Sequence, residues 1–254
     1  MPTALVREIP SSFDRAIVSP RGRSPDVDLA RKQHRVYRDH LEEAGYEIET
    51  LPADETCPDC VFIEDTAVIF GELALITRPG AQERIAEIPP VEEFLRERFA
   101  TTAVEAPGTL DGGDVMIMGR TVYVGASERT NREGIYQLRA VVHGQGMSLV
   151  VVPVEGVLHL KSAVLPVGDQ IVVVTPGKVD ESMLDGLRIV HEPEAEHLLF
   201  SALPLPDGTV LTTAGAPATA SLLEEMGLAV SPIDMSEILA ADGGLTCMSI
   251  LYDG

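Results

Sequence analysis

The sequence predicts an α/β protein built from five copies of one strand, turn, helix and strand unit. The first observation is a set of five β-branched runs, each ending in a small or turn residue: AIVSPRG from Ala16, ALITRPG from Ala74, VYVGAS from Val122, IVVVTPG from Ile171 and TVLTTAG from Thr209. The second is that a stretch with helical spacing follows every run. Recurrence every ~40–60 residues favours a pseudo-symmetric ring or solenoid over an ordinary α/β sheet, whose alternation is similar.

The predicted helices follow the runs in chain order as DLARKQHRVYRDHLEEAG, VEEFLRERF, NREGIYQLRAVVHGQG, ESMLDGLRIV and ATASLLEEMG. In the first, Leu29, Val36, Tyr37 and Leu41 share one face, and Gly45 is a typical C-terminal stop. The predicted closing strands are YEIETLP, TTAVEAP, SLVVVPV and LAVSPID, with HLLFSALPL in that place in the fourth unit. A closed ring exposes few strand edges, and loops from several units can form a site at its axis.

The composition is that of a folded globular protein, and we expect residues 1–254 to form a single domain. Apolar residues make up 45% of the 254 residues, enough to bury a substantial core. Lys and Arg number 19 against 40 Asp and Glu, a formal charge of −21. Such a surface repels phosphate backbones, which argues against a nucleic-acid partner. An acidic field attracts cationic substrates, although solubility alone also explains it.

The chain shows no membrane or secretion signal, so we expect a cytoplasmic protein with no membrane partner. No apolar run reaches the ~18 residues that span a bilayer, and Arg7, Glu8 and Asp14 interrupt the region where a signal peptide is apolar. Three cysteines in such a protein argue against a disulfide framework. Cys57 and Cys60 form a C-x-x-C pair without a second ligand pair, and Cys60 leads into a strand-like run. Neither a metal nor a redox role is therefore assigned.

Polar residues stand against the apolar pattern in four segments, and two of these carry carboxylates. Glu64 and Asp65 interrupt the strand-like run CPDCVFIEDTAVIF. Buried carboxylates are costly unless cations or donors meet them, and an exposed turn is the alternative. In GTLDGGDVMIMG, the pair Gly112–Gly113 allows a tight turn between Asp111 and Asp114.

The other two segments carry a histidine and a cysteine. His159 lies among apolar residues in EGVLHLKSAVLPVG, and Lys161 is expected on the same strand face. Cys247 follows a Gly-Gly turn in ADGGLTCMSILY. A single Cys with a distant His and carboxylate is the set of groups that a thiolate nucleophile needs. A core histidine and a small buried thiol remain the alternative, because composition does not separate the two.

Several motifs in one order resemble the guanidino-group-modifying superfamily, and specifically the dimethylarginine dimethylaminohydrolases. They are FIEDTAVIF, ALITRPG, LDGGDV, SERTN, LHLKS and GLTCMS, and the match runs from about Ala16 to Tyr252. The resemblance implies a five-bladed α/β propeller of ββαβ units, the pentein fold. It also implies a hydrolase of linear amidine C–N bonds that needs no cofactor, with a methylated arginine as its small-molecule partner. The protein would be a monomer or a homodimer.

The resemblance implies roles for individual residues. Cys247 would be the nucleophile, His159 the general acid and base, and Asp111 the carboxylate that orients His159. The other implied residues would bind substrate: Asp65 the guanidinium, Glu64 its carboxylate support, Asp59 the amino-acid end, Arg84 and Arg129 the α-carboxylate, and Val18 and Ala241 further contacts. The loop from Ser19 to Asp26 would be a lid.

The chemistry suits these groups, and other activities remain open. A guanidinium carbon is a poor electrophile, so a thiolate must attack it, and the departing amine needs a proton from an acid such as His. The expected reaction converts asymmetric dimethylarginine or monomethylarginine to citrulline and dimethylamine or methylamine through a covalent thiouronium. The alternatives are a deiminase of arginine or agmatine, an amidino transferase, and a non-catalytic propeller that binds methylated arginine. Lys161 and the F-I-E-D segment favour the dimethylaminohydrolase branch over the deiminases.

Overall fold

A computed structural model of the protein describes residues 1–18, 23–193 and 202–253. The chain divides into two compact units, the first made of Met1–Ile63 and Phe200–Gly254 and the second of Glu64–Leu199. The α-helices are α1 Val27–Glu43, α2 Ile88–Arg96, α3 Arg132–Gly144, α4 Pro217–Glu225 and α5 Ser236–Ala240. None of the helices in these ranges is both long enough and apolar enough to cross a membrane.

Two of the five sheets belong to the first unit, and each has three strands. The strands are β1 Pro2–Arg7, β2 Glu47–Leu51, β12 Ala202–Pro204, β13 Thr209–Thr213, β14 Ala229–Ile233 and β15 Ser249–Asp253. One sheet has the order β15-β1-β2 and the other β12-β13-β14. In both, the middle strand is antiparallel to one neighbour and parallel to the other. The C-terminal strand β15 therefore completes the sheet that the N-terminal strand begins, with Pro2 opposite Asp253.

The second unit contains the other three sheets, which repeat the same topology. Their strands are β3 Ala67–Phe70, β4 Leu73–Ile76, β5 Ala100–Ala103, β6 Val115–Met118, β7 Thr121–Ala126, β8 Ser148–Pro153, β9 Val164–Gly168, β10 Ile171–Val174 and β11 Arg188–His191. Each sheet is an antiparallel hairpin whose second strand pairs in parallel with a third. Parallel neighbours need a crossover connection, and α2 and α3 supply it in two of these sheets. The predicted ββαβ unit is therefore present in the chain.

Local sequence explains why the longest helix begins and ends where it does. The side chain of Asp26 accepts a hydrogen bond from the Leu29 amide at 3.0 Å, which caps α1. Gly45 follows the helix with a φ of 97°, a left-handed conformation that glycine adopts without a steric penalty. The buried face of α1 carries Ala30, Tyr37 and Leu41, which pack in the core cluster of the first unit.

Two predicted elements were wrong. In the first predicted repeat, the strand that precedes the helix is β1. Residues 16–18 of the AIVSPRG run form no strand, because the Ile17 amide donates to the Asp59 side chain at 3.1 Å. In the fourth predicted repeat, ESMLDGLRIV does not form the predicted helix. It forms a 3₁₀ turn, Glu181–Leu184, followed by β11. Gly186, with a φ of 85°, ends helical geometry there, and the β-branched residues after it suit a strand.

The segment HLLFSALPL contains β12, which belongs to the fifth sheet rather than the fourth, while its residues 197–201 lie outside the described residues. Residues 19–22 of the predicted lid lie outside them as well.

A buried hydrogen bond links α1 to the strand that closes the first sheet. The hydroxyl groups of Tyr37 and Ser249 are 2.8 Å apart, and both side chains are buried. We expect Tyr37→Phe to lower the free energy of unfolding by ~1–2 kcal/mol, because Ser249 loses its buried partner. Denaturant unfolding measures this change.

The matched control is Tyr136→Phe, since Tyr136 is 68% exposed and should change stability by less than ~0.5 kcal/mol. The double variant Tyr37→Phe, Ser249→Ala should regain part of the loss, because the Ser249 hydroxyl that would lack its partner is then absent. Equal losses in both single tyrosine variants would contradict a role for this hydrogen bond.

Candidate functional site

The residues singled out for chemistry occupy the same place in successive repeats. A short 3₁₀ turn stands immediately before, or one residue before, the first strand of four sheets: Ile63–Thr66 before β3, Gly112–Asp114 before β6, Leu160–Ser162 before β9 and Thr246–Met248 before β15. Asp65 and Cys247 lie within such turns, and Asp111 and His159 are the N-cap residues of two others. The repeat therefore delivers one reactive group at each of these equivalent turns.

Three of these residues meet in the second unit around a buried imidazole. Nε2 of His159 is 3.0 Å from Oδ2 of Asp111 and 3.9 Å from Oδ1 of Asp65. All three side chains are buried. Gly80 donates its amide to the other Asp111 oxygen at 2.7 Å, and Gly113 donates to Asp65 Oδ1 at 2.9 Å. The structure thus brings His159 and Asp111 together as a directly hydrogen-bonded pair.

The charges around His159 hold it in its protonated form. Burial by itself lowers the pKa of an imidazole, because the charged form loses hydration. Here the negative charge of Asp65, the hydrogen bond to Asp111 and the charge of Asp114 outweigh burial and raise the pKa of His159 to about 9. At neutral pH the side chain is therefore an imidazolium that can donate a proton.

Asp114 supports both members of the pair, although the sequence pattern assigned it no role. Its Oδ1 accepts the Leu160 amide at 2.9 Å, directly after His159 in the chain. Its Oδ2 accepts the Thr130 hydroxyl at 2.6 Å, and that hydroxyl also accepts the Asp111 amide at 3.2 Å. Burial raises the pKa of Asp114, although His159 and these donors oppose the shift. The sequence signals that could have pointed to this role were the second Asp of LDGGD, which is Asp114, and the Thr of SERTN, which is Thr130.

The paired glycines of this turn are needed for space rather than for an unusual φ. A Cβ on Gly113 would lie 2.6 Å from Nδ1 of His159 and 2.9 Å from Oδ1 of Asp65, and a Cβ on Gly112 would overlap the carbonyl oxygen of Glu64. Neither residue has a left-handed φ. At the expected tight turn, the backbone thus lies so close to His159, Asp65 and Glu64 that only glycine fits.

Arg84 lies within this cluster and binds two carboxylates. Its Nη1 donates to Asp65 at 2.5 Å, and its Nε and Nη2 donate to Glu87 at 3.0 and 2.8 Å. Arg84, Asp65 and Glu87 are all buried. Burial alone would raise the pKa of Asp65, but His159 and Arg84 outweigh it and lower the pKa to about 2. Glu87 was not predicted, and the role of Arg84 at the substrate carboxylate stays a prediction.

Glu64 and Lys161 form a further ion pair in the second unit. Lys161 lies in a 3₁₀ turn rather than on the predicted strand, and its Nζ is 2.6 Å from Oε1 of Glu64. Arg129 is half-buried, and its side chain forms no ion pair with any residue that the structure describes. Its backbone packs directly on Gly80.

The remaining predicted residues lie in the first unit. Cys247 is half-buried, and its sulfur accepts the Gly244 amide at 3.3 Å, a contact that favours a thiolate. Asp59 is buried and accepts the Ile17 amide, while Ala241 is buried and Val18 is half-buried.

Two sets of residues offer groups that metals bind. Cys57 and Cys60 are buried thiols that form no disulfide. The ligand atoms of Asp65, Asp111 and His159 lie within 4.8 Å of one another, a spacing that a metal ion could use. A histidine must be neutral to bind a metal, and the raised pKa of His159 opposes that.

Comparisons with known proteins give the family. A family model described as "N,N dimethylarginine dimethylhydrolase, eukaryotic" matches residues 21–193. A dimethylarginine dimethylaminohydrolase of Streptomyces coelicolor is 42% identical over 235 residues, which cover 90% of this chain and 89% of the relative. The chain belongs to the dimethylarginine dimethylaminohydrolase family. A family member from Pseudomonas aeruginosa is 34% identical, over 90% of both chains.

Solved structures of the same family share the fold. The structure of the Pseudomonas aeruginosa enzyme as a cysteine-to-serine mutant with citrulline has a TM-score of 0.93 at 32% identity, over 98% of both chains. A dimethylarginine dimethylaminohydrolase adduct with S-methyl-L-thiocitrulline has a TM-score of 0.93 at 32% identity, over 99% of this chain and 100% of that one. Together with the five three-stranded sheets, this confirms the predicted fold class, the five-bladed α/β propeller of the pentein fold.

The raised pKa of His159 can be tested without measuring turnover. In Asp111→Asn the side chain keeps its shape but loses the charge that supports the imidazolium. We expect the midpoint of the His159 titration, followed by NMR of its ring protons, to fall from about 9 by at least ~1 unit.

His191, which pairs with Glu181 on the surface, serves as the control within the same spectra, and its ring-proton signals should be the same in the wild type and in Asp111→Asn. A His159 midpoint that is the same in the wild type and in Asp111→Asn would show that Asp111 does not set the protonation of the ring.

Proposed function

We propose that this protein hydrolyses N-ω-methylated arginines, asymmetric dimethylarginine and monomethylarginine, to citrulline and dimethylamine or methylamine. The observation that carries the proposal is the buried imidazolium of His159 between carboxylates, in a chain of this family. It is a proton donor in surroundings that attract a cation. Loss of a dialkylamine from a guanidinium requires such a donor, because an unprotonated amide ion is a very poor leaving group.

Cys247 supplies the nucleophile in this proposal. Its thiolate attacks the guanidinium carbon, and a C–S bond forms. The positive charge of the substrate favours the thiolate as it approaches, and the Gly244 amide at 3.3 Å adds a donor to the sulfur. Cys247 occupies the turn position that Asp65, Asp111 and His159 occupy or flank in other repeats, which supports assigning it to the same chemistry.

His159 serves both halves of the reaction. It gives its proton to the departing nitrogen as the C–N bond breaks, which leaves a thiouronium on Cys247 and a neutral imidazole. The imidazole then takes a proton from water as the water oxygen attacks the thiouronium carbon. Breaking the C–S bond then restores the thiolate beside the imidazolium, and the proton left on the attacking oxygen passes to the solvent and the released amine, which gives neutral citrulline and an ammonium ion. Asp111 stabilises the charged ring through its hydrogen bond at 3.0 Å.

The remaining residues bind the substrate. Asp65 and Glu64 receive guanidinium N–H groups, Asp59 the α-amino end, and Arg84 and Arg129 the α-carboxylate. Val18 and Ala241 complete the contacts. We further propose that residues 1–254 act as one catalytic domain, as a monomer or homodimer in the cytoplasm, a reducing compartment that suits three cysteines that form no disulfide.

Replacement of the nucleophile tests this proposal most directly. We expect Cys247→Ser to lose all measurable citrulline formation from dimethylarginine, because serine offers no accessible anion at neutral pH. In His159→Ala the thiouronium should persist, since its breakdown lacks a base. Mass spectrometry of acid-quenched enzyme should then find substrate-derived mass on the Cys247 peptide.

Cys57→Ser is the matched control, because Cys57 is a buried thiol with no role in the proposed reaction. It should keep the wild-type rate if it folds, as circular dichroism would show. Full citrulline formation by Cys247→Ser would overturn the nucleophile assignment.

The two arginines should differ in how they affect ligands. Arg129→Met should weaken dimethylarginine binding by ~1.5–3 kcal/mol and leave agmatine almost unaffected, because agmatine lacks the α-carboxylate. Arg84→Met should weaken both ligands, since it also leaves buried Asp65 and Glu87 without a cation. Calorimetric titration of inactive Cys247→Ser enzyme measures both affinities. Equal losses for the two ligands in Arg129→Met would assign Arg129 a structural role.

A further inference from the structure

An ion pair links the turn that follows His159 to the turn that carries Asp65. Nζ of Lys161 is 2.6 Å from Oε1 of Glu64. Glu64 is buried, with 9% of its surface exposed, whereas Lys161 is half-buried. A lysine beside a single carboxylate oxygen leaves the other oxygen of that carboxylate with its acceptor capacity intact.

That second oxygen is unsatisfied. Oε2 of Glu64 is buried and accepts no hydrogen bond from the part of the chain that the structure describes. By contrast, both oxygens of Asp65 and both oxygens of Asp111 already accept. Buried carboxylate oxygens are rarely left without a donor, and a ligand N–H is one way to satisfy them. Glu64 therefore has one oxygen without a donor, whereas each oxygen of Asp65 and of Asp111 already accepts one hydrogen bond.

We infer that Lys161 is a specificity-determining residue, which holds Oε1 of Glu64 so that Oε2, rather than Oε1, receives an N–H of a methylated guanidinium. This inference rests on the proposed function and deepens it. Lys161 acts through Glu64 and does not itself touch the reacting atoms.

The number of donors on the ligand explains why this selects methylated substrates. An arginine guanidinium carries five N–H donors. Asymmetric dimethylation replaces two of them by methyl groups, so that one terminal nitrogen donates nothing. A Glu64 carboxylate with only one oxygen available matches the ligand that has fewer donors. With Lys161 removed, Glu64 presents two open oxygens and an uncompensated charge, which suit the more numerous donors of unmethylated arginine.

The test compares kcat/KM for asymmetric dimethylarginine, monomethylarginine and arginine in Lys161→Met, Lys161→Arg and wild type. We expect Lys161→Met to lower the ratio of dimethylarginine to arginine by ~10-fold or more, the factor typical of losing one charged hydrogen bond. Lys161→Arg keeps the cation and should preserve the ratio within ~3-fold. Monomethylarginine should fall between the two.

Lys178→Met is the matched control, because Lys178 is also a half-buried lysine of the second unit but is not paired with Glu64. It should leave all three values unchanged. If Lys161→Met fails to fold, judged by its circular dichroism, Lys161→Gln replaces it. Glutamine keeps a donor without the charge, and it should still lower the ratio by ~3-fold or more.

The outcomes separate this inference from the proposed function. An equal loss for all three substrates, or an unchanged ratio in the folded variant, would overturn the role of Lys161 while wild-type citrulline formation upholds the function. A wild-type enzyme that forms no citrulline from methylated arginines would overturn both.

Discussion

A buried imidazole stays charged in the second unit because carboxylates surround it, and most of the local structure serves that arrangement. Asp65, Asp111 and Asp114 all favour the imidazolium of His159, and each is itself held by backbone amides or hydroxyl groups. Charges removed from water must be compensated locally, since desolvation costs several kcal/mol per ion. Arg84 provides this compensation for Asp65 and Glu87. The cluster is therefore a single electrostatic unit, in which removing one member changes the others.

The balance of charges in that unit bears on which ligand it attracts. Asp65, Asp111, Glu64 and Glu87 oppose the cations Arg84, His159 and Lys161. Even when Asp114, whose pKa is raised, is left out, the four carboxylates outnumber the three cations by one. A cationic guanidinium restores the balance, whereas a neutral urea such as the end of citrulline does not. In the proposed function, the same field would thus favour binding of the substrate and release of the product.

Much of the fold follows from patterns in the sequence, because strand and helix periods are local properties. The β-branched runs beginning at Ala74, Val122, Ile171 and Thr209 correspond to the central strands of four sheets. The run at Ala16 does not form a strand, since the Ile17 amide there donates a hydrogen bond to the side chain of Asp59, which lies 42 residues further along the chain. The pairing of β15 with β1 is likewise a contact between chain ends, which no local period reveals.

The site was predictable in its parts and not in its connections. Cys247, His159, Asp111 and Asp65 came from motif order, and the structure joins the last three of them directly. Glu87, Thr130 and Asp114 were assigned no role because each is one polar residue in an ordinary turn or helix, and only its burial and hydrogen-bond partners show its importance. Buried polar groups are informative once their hydrogen bonds are known, and a sequence does not state burial at that resolution.

The raised pKa of His159 connects stability with the reaction. The folded-state pKa of about 9 lies above the ordinary 6.5, so the bound proton stabilises the fold fully below pH 6.5, and this stabilisation is lost as pH rises through 9. An imidazole with so high a pKa is by itself a reluctant acid at neutral pH. A guanidinium bound beside it is a second cation, and like charge lowers the pKa of a neighbouring imidazolium. In the proposed reaction, substrate binding would thus bring the acid closer to the pH at which it must act. Once the amine had left with the proton, the carboxylates would make the neutral ring a strong base toward water. One arrangement of charges would therefore support both halves of the proposed reaction, because the substrate itself supplies the change between them.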